Sequence, residues 1–105
     1  MAQVRIDAGV CGFVTDVKAT SDDSQNVALE ITSTCPHVTK GAADLTSVDA
    51  YAEIFAKPAE TRTYAALAEH LPHVACPVYA GVLKAVEAAA GLALPRTASV
   101  IFVEE

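Results

Sequence analysis

The sequence predicts an α+β domain: a three-stranded antiparallel meander, then helices packed on one face, then a further strand after the last helix. Three observations carry this reading. Apolar and polar residues alternate through the first third, apolar residues recur at helical spacing through the middle, and a β-branched run lies near the end of the sequence.

The first strand is read from Val4, Ile6 and Ala8, which alternate with Arg5 and Asp7. A second alternating run spans Phe13 to Thr20. A third covers Asn26 to Ser33, with Val27, Leu29 and Ile31 on one side. Ser21 to Gln25 is a cluster of turn formers that makes the last two runs a hairpin, and Gly9-Val10-Cys11-Gly12 supplies the preceding turn. Four helical segments follow. Pro36 to Ala43 allows a short helix, and a second is expected to start near Thr46-Ser47 with Asp49 completing a capping pattern. Its apolar positions are Val48, Tyr51, Ala52 and Phe55, and Lys57-Pro58 ends it. Thr61 to Leu71 carries a stripe of Tyr64, Leu67, Ala68 and Leu71. The clearest helix runs from Pro77 to Ala90, with Val78, Val82, Leu83, Val86 and Ala89 on one stripe, Lys84 and Glu87 opposite, and Gly91 as a left-handed stop. Gly81 inside it disfavours helix by about 1 kcal/mol relative to alanine, which points to close packing or a ligand's approach, with packing favoured. After Leu94-Pro95, Ala98 to Val103 reads as a strand able to pair with either edge of the sheet.

With 105 residues and 52% hydrophobic content, residues 1–105 form a single domain able to bury a core without disulfide staples. No run approaches the roughly 20 apolar residues of a membrane span. Met1 to Asp7 alternates and carries charge, unlike a signal peptide, so a cytoplasmic setting is expected. Thiols stay reduced there, and three cysteines cannot form a closed disulfide set. A net charge of −6 with only seven scattered Lys and Arg residues argues against nucleic acid or an anionic membrane as partner. The oligomeric state is not encoded in any motif.

Chemistry is concentrated in the cysteines. Cys35 precedes Pro36 and Cys76 precedes Pro77, and proline is favoured at the first position inside a helix. Each sulfur is therefore expected at or beside a helix start, where free N–H groups and the dipole favour an anion. Cys11 sits between Gly9 and Gly12, in a turn whose backbone can approach a ligand closely. In a meander the end of the third strand lies beside the start of the second, so topology alone brings Cys11 and Cys35 to one end of the sheet. Cys76 depends on how the last helix is laid down. His73 and His37 are candidate fourth ligands, with His70 more remote. Thiolates with an imidazole suit zinc or an iron–sulfur cluster rather than magnesium or calcium. Each cysteine taken alone is an ordinary small core residue, each histidine a surface or capping residue, and no local Cys-x-x-Cys pair exists.

Cys11-Gly12 after the first strand, Thr34-Cys35 where the third strand enters a helix, and Cys76 opening a helix that contains Leu83-Lys84-Ala85 together resemble the iron–sulfur cluster assembly scaffolds of the IscU and NifU N-terminal type. The similarity of layout covers roughly residues 1 to 90, with cysteine intervals of 24 and 41 residues close to those of the scaffolds. It implies that Cys11, Cys35 and Cys76 assemble a cluster or hold zinc, and that a cluster donor or acceptor protein is the partner. The scaffolds carry an acidic residue where this chain has Phe13, and a histidine where it has Ala75, so the resemblance is to a divergent member in which His73 substitutes from the preceding turn. Cys76-Pro77-Val78 and Gly91-Leu92-Ala93-Leu94-Pro95 are also similar to a small uncharacterised protein family of anaerobic prokaryotes. The leading expectation is a metal or iron–sulfur binding scaffold or carrier, more a binding protein than an enzyme. The alternatives are a thiol-dependent enzyme or redox protein with Cys76 as the reactive thiolate, and a metal-free interaction domain.

Overall fold

The computed structural model describes residues 1–104 and is an α+β fold. Strands β1 (Ala2–Asp7), β2 (Val14–Thr20) and β3 (Asn26–Ser33) form the expected meander, with continuous antiparallel registers from Ala2↔Ala19 to Asp7↔Val14 and from Thr15↔Ser33 to Thr20↔Ala28. The alternation read in the sequence divides the two faces. Ile6, Thr15, Val17, Ala19, Val27 and Leu29 are buried, whereas Arg5, Asp16, Lys18 and Glu30 face solvent and pair as Arg5–Asp16 (2.8 Å) and Lys18–Glu30 (3.8 Å). Helices α1 (Pro36–Ala42), α2 (Ala50–Ile54), α3 (Arg62–Ala68) and α4 (Val78–Ala89) supply the remaining core, chiefly Val38, Leu67, Val78, Val82 and Val86.

The β2–β3 turn is fastened by one side chain. Asp23 accepts from the backbone N–H of Gln25 (3.0 Å) and Asn26 (2.8 Å) and from the Asn26 side-chain amide (2.8 Å), while Ser24 takes a φ of 61°. The Gln25 N–H is the largest influence and the two Asn26 donors add to it, holding the carboxyl down to about 2. Because the folded value lies below the unfolded one of about 3.9, this contribution is complete above the unfolded value and is lost as pH falls through about 2. Comparing urea midpoints from pH 5 to pH 2 is therefore expected to show a steeper acid loss for the wild type than for Asp23→Ala. Equal slopes would remove Asp23 from the acid response.

Two expectations are corrected. The helix placed at Thr46-Ser47 starts later: Ser47–Asp49 is a fourth strand, β4, pairing with β3 through Asn26↔Asp49, Val27↔Val48 and Ala28↔Ser47. The open side of β3 offers these residues a ladder. Asp49 is itself the N-cap of α2, accepting from Tyr51 N–H (2.9 Å) and Ala52 N–H (3.2 Å). Tyr51 and Phe55 consequently stack on each other at the surface, and Ala50 and Glu53 are the buried residues of α2. The second correction concerns Ala98 to Val103. This segment forms no strand among the described residues, and the sheet order is β1-β2-β3-β4. Propensity fits a segment to a pleated surface without supplying the partner that a strand needs.

The last helix follows its sequence signals. Gly91 adopts a φ of 75°, its N–H donates to Ala88 O, and Leu92 N–H donates to Glu87 O, a Schellman closure. Gly81 faces β1, and a Cβ placed on it would collide with Cδ1 and Cγ1 of Ile6. That close approach fixes α4 against the sheet, with its first turn at the end where β1 finishes.

Candidate functional site

Cys11 is at the centre of the β1–β2 turn. Gly9 and Gly12 have φ of 82° and 73°, Gly12 N–H donates to Gly9 O (2.9 Å), and Ala8 N–H donates to Phe13 O (3.1 Å). A side chain at either glycine would meet no neighbour, so the left-handed backbone, rather than crowding, is what calls for glycine. Cys11 is exposed.

Cys35 is the N-cap of α1, with Pro36 inside the helix as the sequence predicts. Its backbone is tightly held: its N–H donates to Ser33 Oγ (3.0 Å), Ser33 Oγ is 2.7 Å from Thr15 Oγ1, and its carbonyl accepts from both Thr39 N–H (3.0 Å) and Thr39 Oγ1 (3.1 Å). Thr34 straps the same corner to β2 through Val14. Cys76 precedes α4 by one further residue than expected, because Pro77 is the N-cap and Val78 the first helical residue. Cys76 N–H donates to His73 O (3.2 Å), which closes a turn that puts His73 and Cys76 on one rim. Cys35 and Cys76 are half-buried against the core.

All three cysteines line one cavity of about 130 Å³, together with His37, His73 and an apolar wall of Ala8, Phe13, Val38 and Leu71. His70 does not line it. The cysteine atoms and imidazoles share the cavity without being gathered at bonding distance. No set of three of these donor atoms lies within 4.8 Å of one another. In the first turn of α4, Tyr79 stacks on Tyr64 with ring centroids 4.5 Å apart, and burial, then the neighbouring Cys76, push its phenol above the usual value.

Residues 2–102 match the family of unknown function DUF6951. The chain belongs to that family. No curated protein matches it, and neither does any solved structure. Among the described residues of this DUF6951 chain, no helix is long and apolar enough to cross a membrane, and all three cysteines are free.

Two other features compete with the cysteine cavity in the DUF6951 fold. A depression of about 500 Å³ lies at the opposite end of the sheet, lined by Thr20, Asn26, Ser47, Asp49 and Arg62 among others, but it is open and carries no thiol or imidazole. Asp44, Glu69 and His70 bring donor atoms within 4.8 Å of one another, on a largely exposed surface. Sequence reasoning missed this trio, since nothing in the spacing of Asp44 signals that it meets the end of α3. It also missed Glu53, whose buried carboxylate accepts from Arg62 N–H (2.8 Å), Thr63 N–H (3.0 Å) and Thr63 Oγ1 (2.7 Å). The only forewarning was a glutamate on a short helix otherwise rich in apolar residues.

Proposed function

We propose that the cavity binds a metal ion or an iron–sulfur cluster through Cys11, Cys35 and Cys76, with His73 or His37 completing the shell, and that the protein acts as a scaffold or carrier. One observation carries this reading: thiols from three remote stretches of chain and two imidazoles line the same small cavity. Three soft sulfur donors with an imidazole fit zinc or iron. A tetrahedral ion with Zn–S bonds of about 2.3 Å needs sulfurs about 3.8 Å apart, whereas no three of the donor atoms here lie within 4.8 Å of one another. Loading therefore draws the donors inward, and Cys11, on its exposed glycine turn, is the donor freest to move. Phe13 gives the cavity an aromatic wall where the resembling scaffolds carry an acid. A reducing compartment such as the cytoplasm keeps the thiols available, and a cluster donor or acceptor protein is the partner this role requires.

Anaerobic reconstitution of the full chain with iron and sulfide is expected to give charge-transfer absorption that Cys11→Ser, Cys35→Ser and Cys76→Ser each abolish. Zinc loading is expected to raise stability by about 2.7 kcal/mol at a hundredfold excess over Kd. Protein that stays colourless and binds no zinc by elemental analysis overturns the reading.

The turn joining His73 to Cys76 favours one second reading, a thiol-dependent enzyme or redox protein with Cys76 as the reactive thiolate. Selective alkylation of Cys76 by iodoacetamide, in protein that takes up no metal, would favour it.

A further inference from the structure

The sheet has one regular free edge, and the chain carries a strand-forming segment with nowhere to pair. Ala8 N–H donates to Phe13 O, which sets the phase of the β1–β2 ladder: alternate residues Ala2, Val4 and Ile6 turn their N–H and C=O toward β2. Gln3, Arg5 and Asp7 turn theirs outward, and none makes a backbone hydrogen bond to a described residue on the open side. Natural edge strands are usually blunted by charged side chains, proline, bulges or covering loops, and here only the charges of Arg5 and Asp7 do so. β1 is six residues long, lacks proline and keeps an uninterrupted register. On its core-facing side Val4 is only half-buried, so the apolar layer beneath α4 is incomplete at this edge.

The segment Ala98 to Val103 is also six residues long. Val100, Ile101, Phe102 and Val103 are 96%, 75%, 99% and 82% exposed, a contiguous apolar run of a kind that monomers seldom leave in water. Among the described residues, the only backbone hydrogen bond in the stretch beyond Leu94 runs from Arg96 N–H to Leu94 O. The segment leaves its own sheet unpaired.

We infer that Ala98–Val103 of one copy adds as a strand to the β1 edge of a second copy, giving a reciprocal two-fold dimer. Edge and segment reside in the same chain, so two copies satisfy each other twice and the assembly closes. An added strand presents alternate residues to the core side, where a valine or phenylalanine would cover Val4. The inference stands apart from the metal-binding proposal.

The test is sedimentation velocity on the reduced full chain up to about 100 µM, beside Ile101→Asp/Phe102→Asp and Arg5→Pro. The double variant alters only exposed side chains and should fold normally. Arg5→Pro removes an outward N–H and the Arg5–Asp16 side-chain pair while sparing the backbone bonds to β2. The wild type is expected to dimerise and both variants to be monomeric, with amide exchange at Gln3, Arg5 and Asp7 slowing about tenfold on dimerisation. A wild type that stays monomeric overturns the inference. So does a dimer that survives the double variant, or edge protection that is unchanged on dilution, which would mean pairing within one chain. Should Arg5→Pro unfold, the double variant and the exchange data decide alone.

Discussion

Glu53→Ala is expected to lower stability by about 3 kcal/mol, and with it the melting temperature by roughly 15 °C. Glu53 is 4% exposed, and its two oxygens accept three hydrogen bonds from the start of α3. The first N–H groups of a helix have no partner within it. Thr61 satisfies Tyr64 N–H, but the N–H groups of Arg62 and Thr63 depend on Glu53. Deleting the carboxylate leaves both amides without this acceptor and strands the Thr63 N–H and hydroxyl in a buried place, and charged acceptors contribute more than neutral ones. Glu53→Gln should fall between, since its amide nitrogen would confront a donor. Thr63→Val, which removes only the hydroxyl, should lose about 1 kcal/mol. Thermal unfolding followed by circular dichroism ranks the three, and a Glu53→Ala protein as stable as the wild type would mean that water serves these donors equally well.

Gly81→Ala is expected to destabilise by up to about 2 kcal/mol, although alanine is the better helix former by about 1 kcal/mol. The new methyl would overlap Ile6, and overpacking of this kind costs about 1–3 kcal/mol before the helical gain is counted. Ile6 is branched at Cβ and buried under α4, so few rotamers are open to it. The decisive comparison is made in an Ile6→Ala background. There the obstruction is gone and Gly81→Ala should become stabilising, reversing its sign. If the two changes simply add, contact between these side chains is not the reason for glycine.

The meander and its hairpins were legible because alternation sorts Ile6, Val17, Val27 and Leu29 from Arg5, Lys18 and Glu30 without knowledge of any other element. Antiparallel pairing then brought Cys11 and Cys35 to one corner by topology alone. Cys76 was a different matter. Its place depends on α4 packing on β1 with Gly81 against Ile6, a packing relation that spacing does not reveal. The separations among the sulfurs were equally invisible, since they depend on rotamers and on the set of one glycine turn. Ser47–Asp49 was misread because three residues are too few to show a period, and Asp49 reads as a cap wherever the helix begins. Ala98 to Val103 was misread for the opposite reason: its composition is strand-like, yet β4 already occupies the β3 edge and the chain does not return to β1.

The cysteine cavity draws its walls from stretches separated by 24 and 41 residues, and no two of its sulfurs share a local motif. In the denatured chain it has no counterpart, unlike a compact zinc loop that can seize its ion before the remainder organises. Any occupant must therefore wait for tertiary assembly and then acts as a clasp on it. On the proposed metal- or cluster-binding reading, even a remote lesion such as Glu53→Ala would surface as faster loss of the bound ion, making retention a gauge of the integrity of the whole domain.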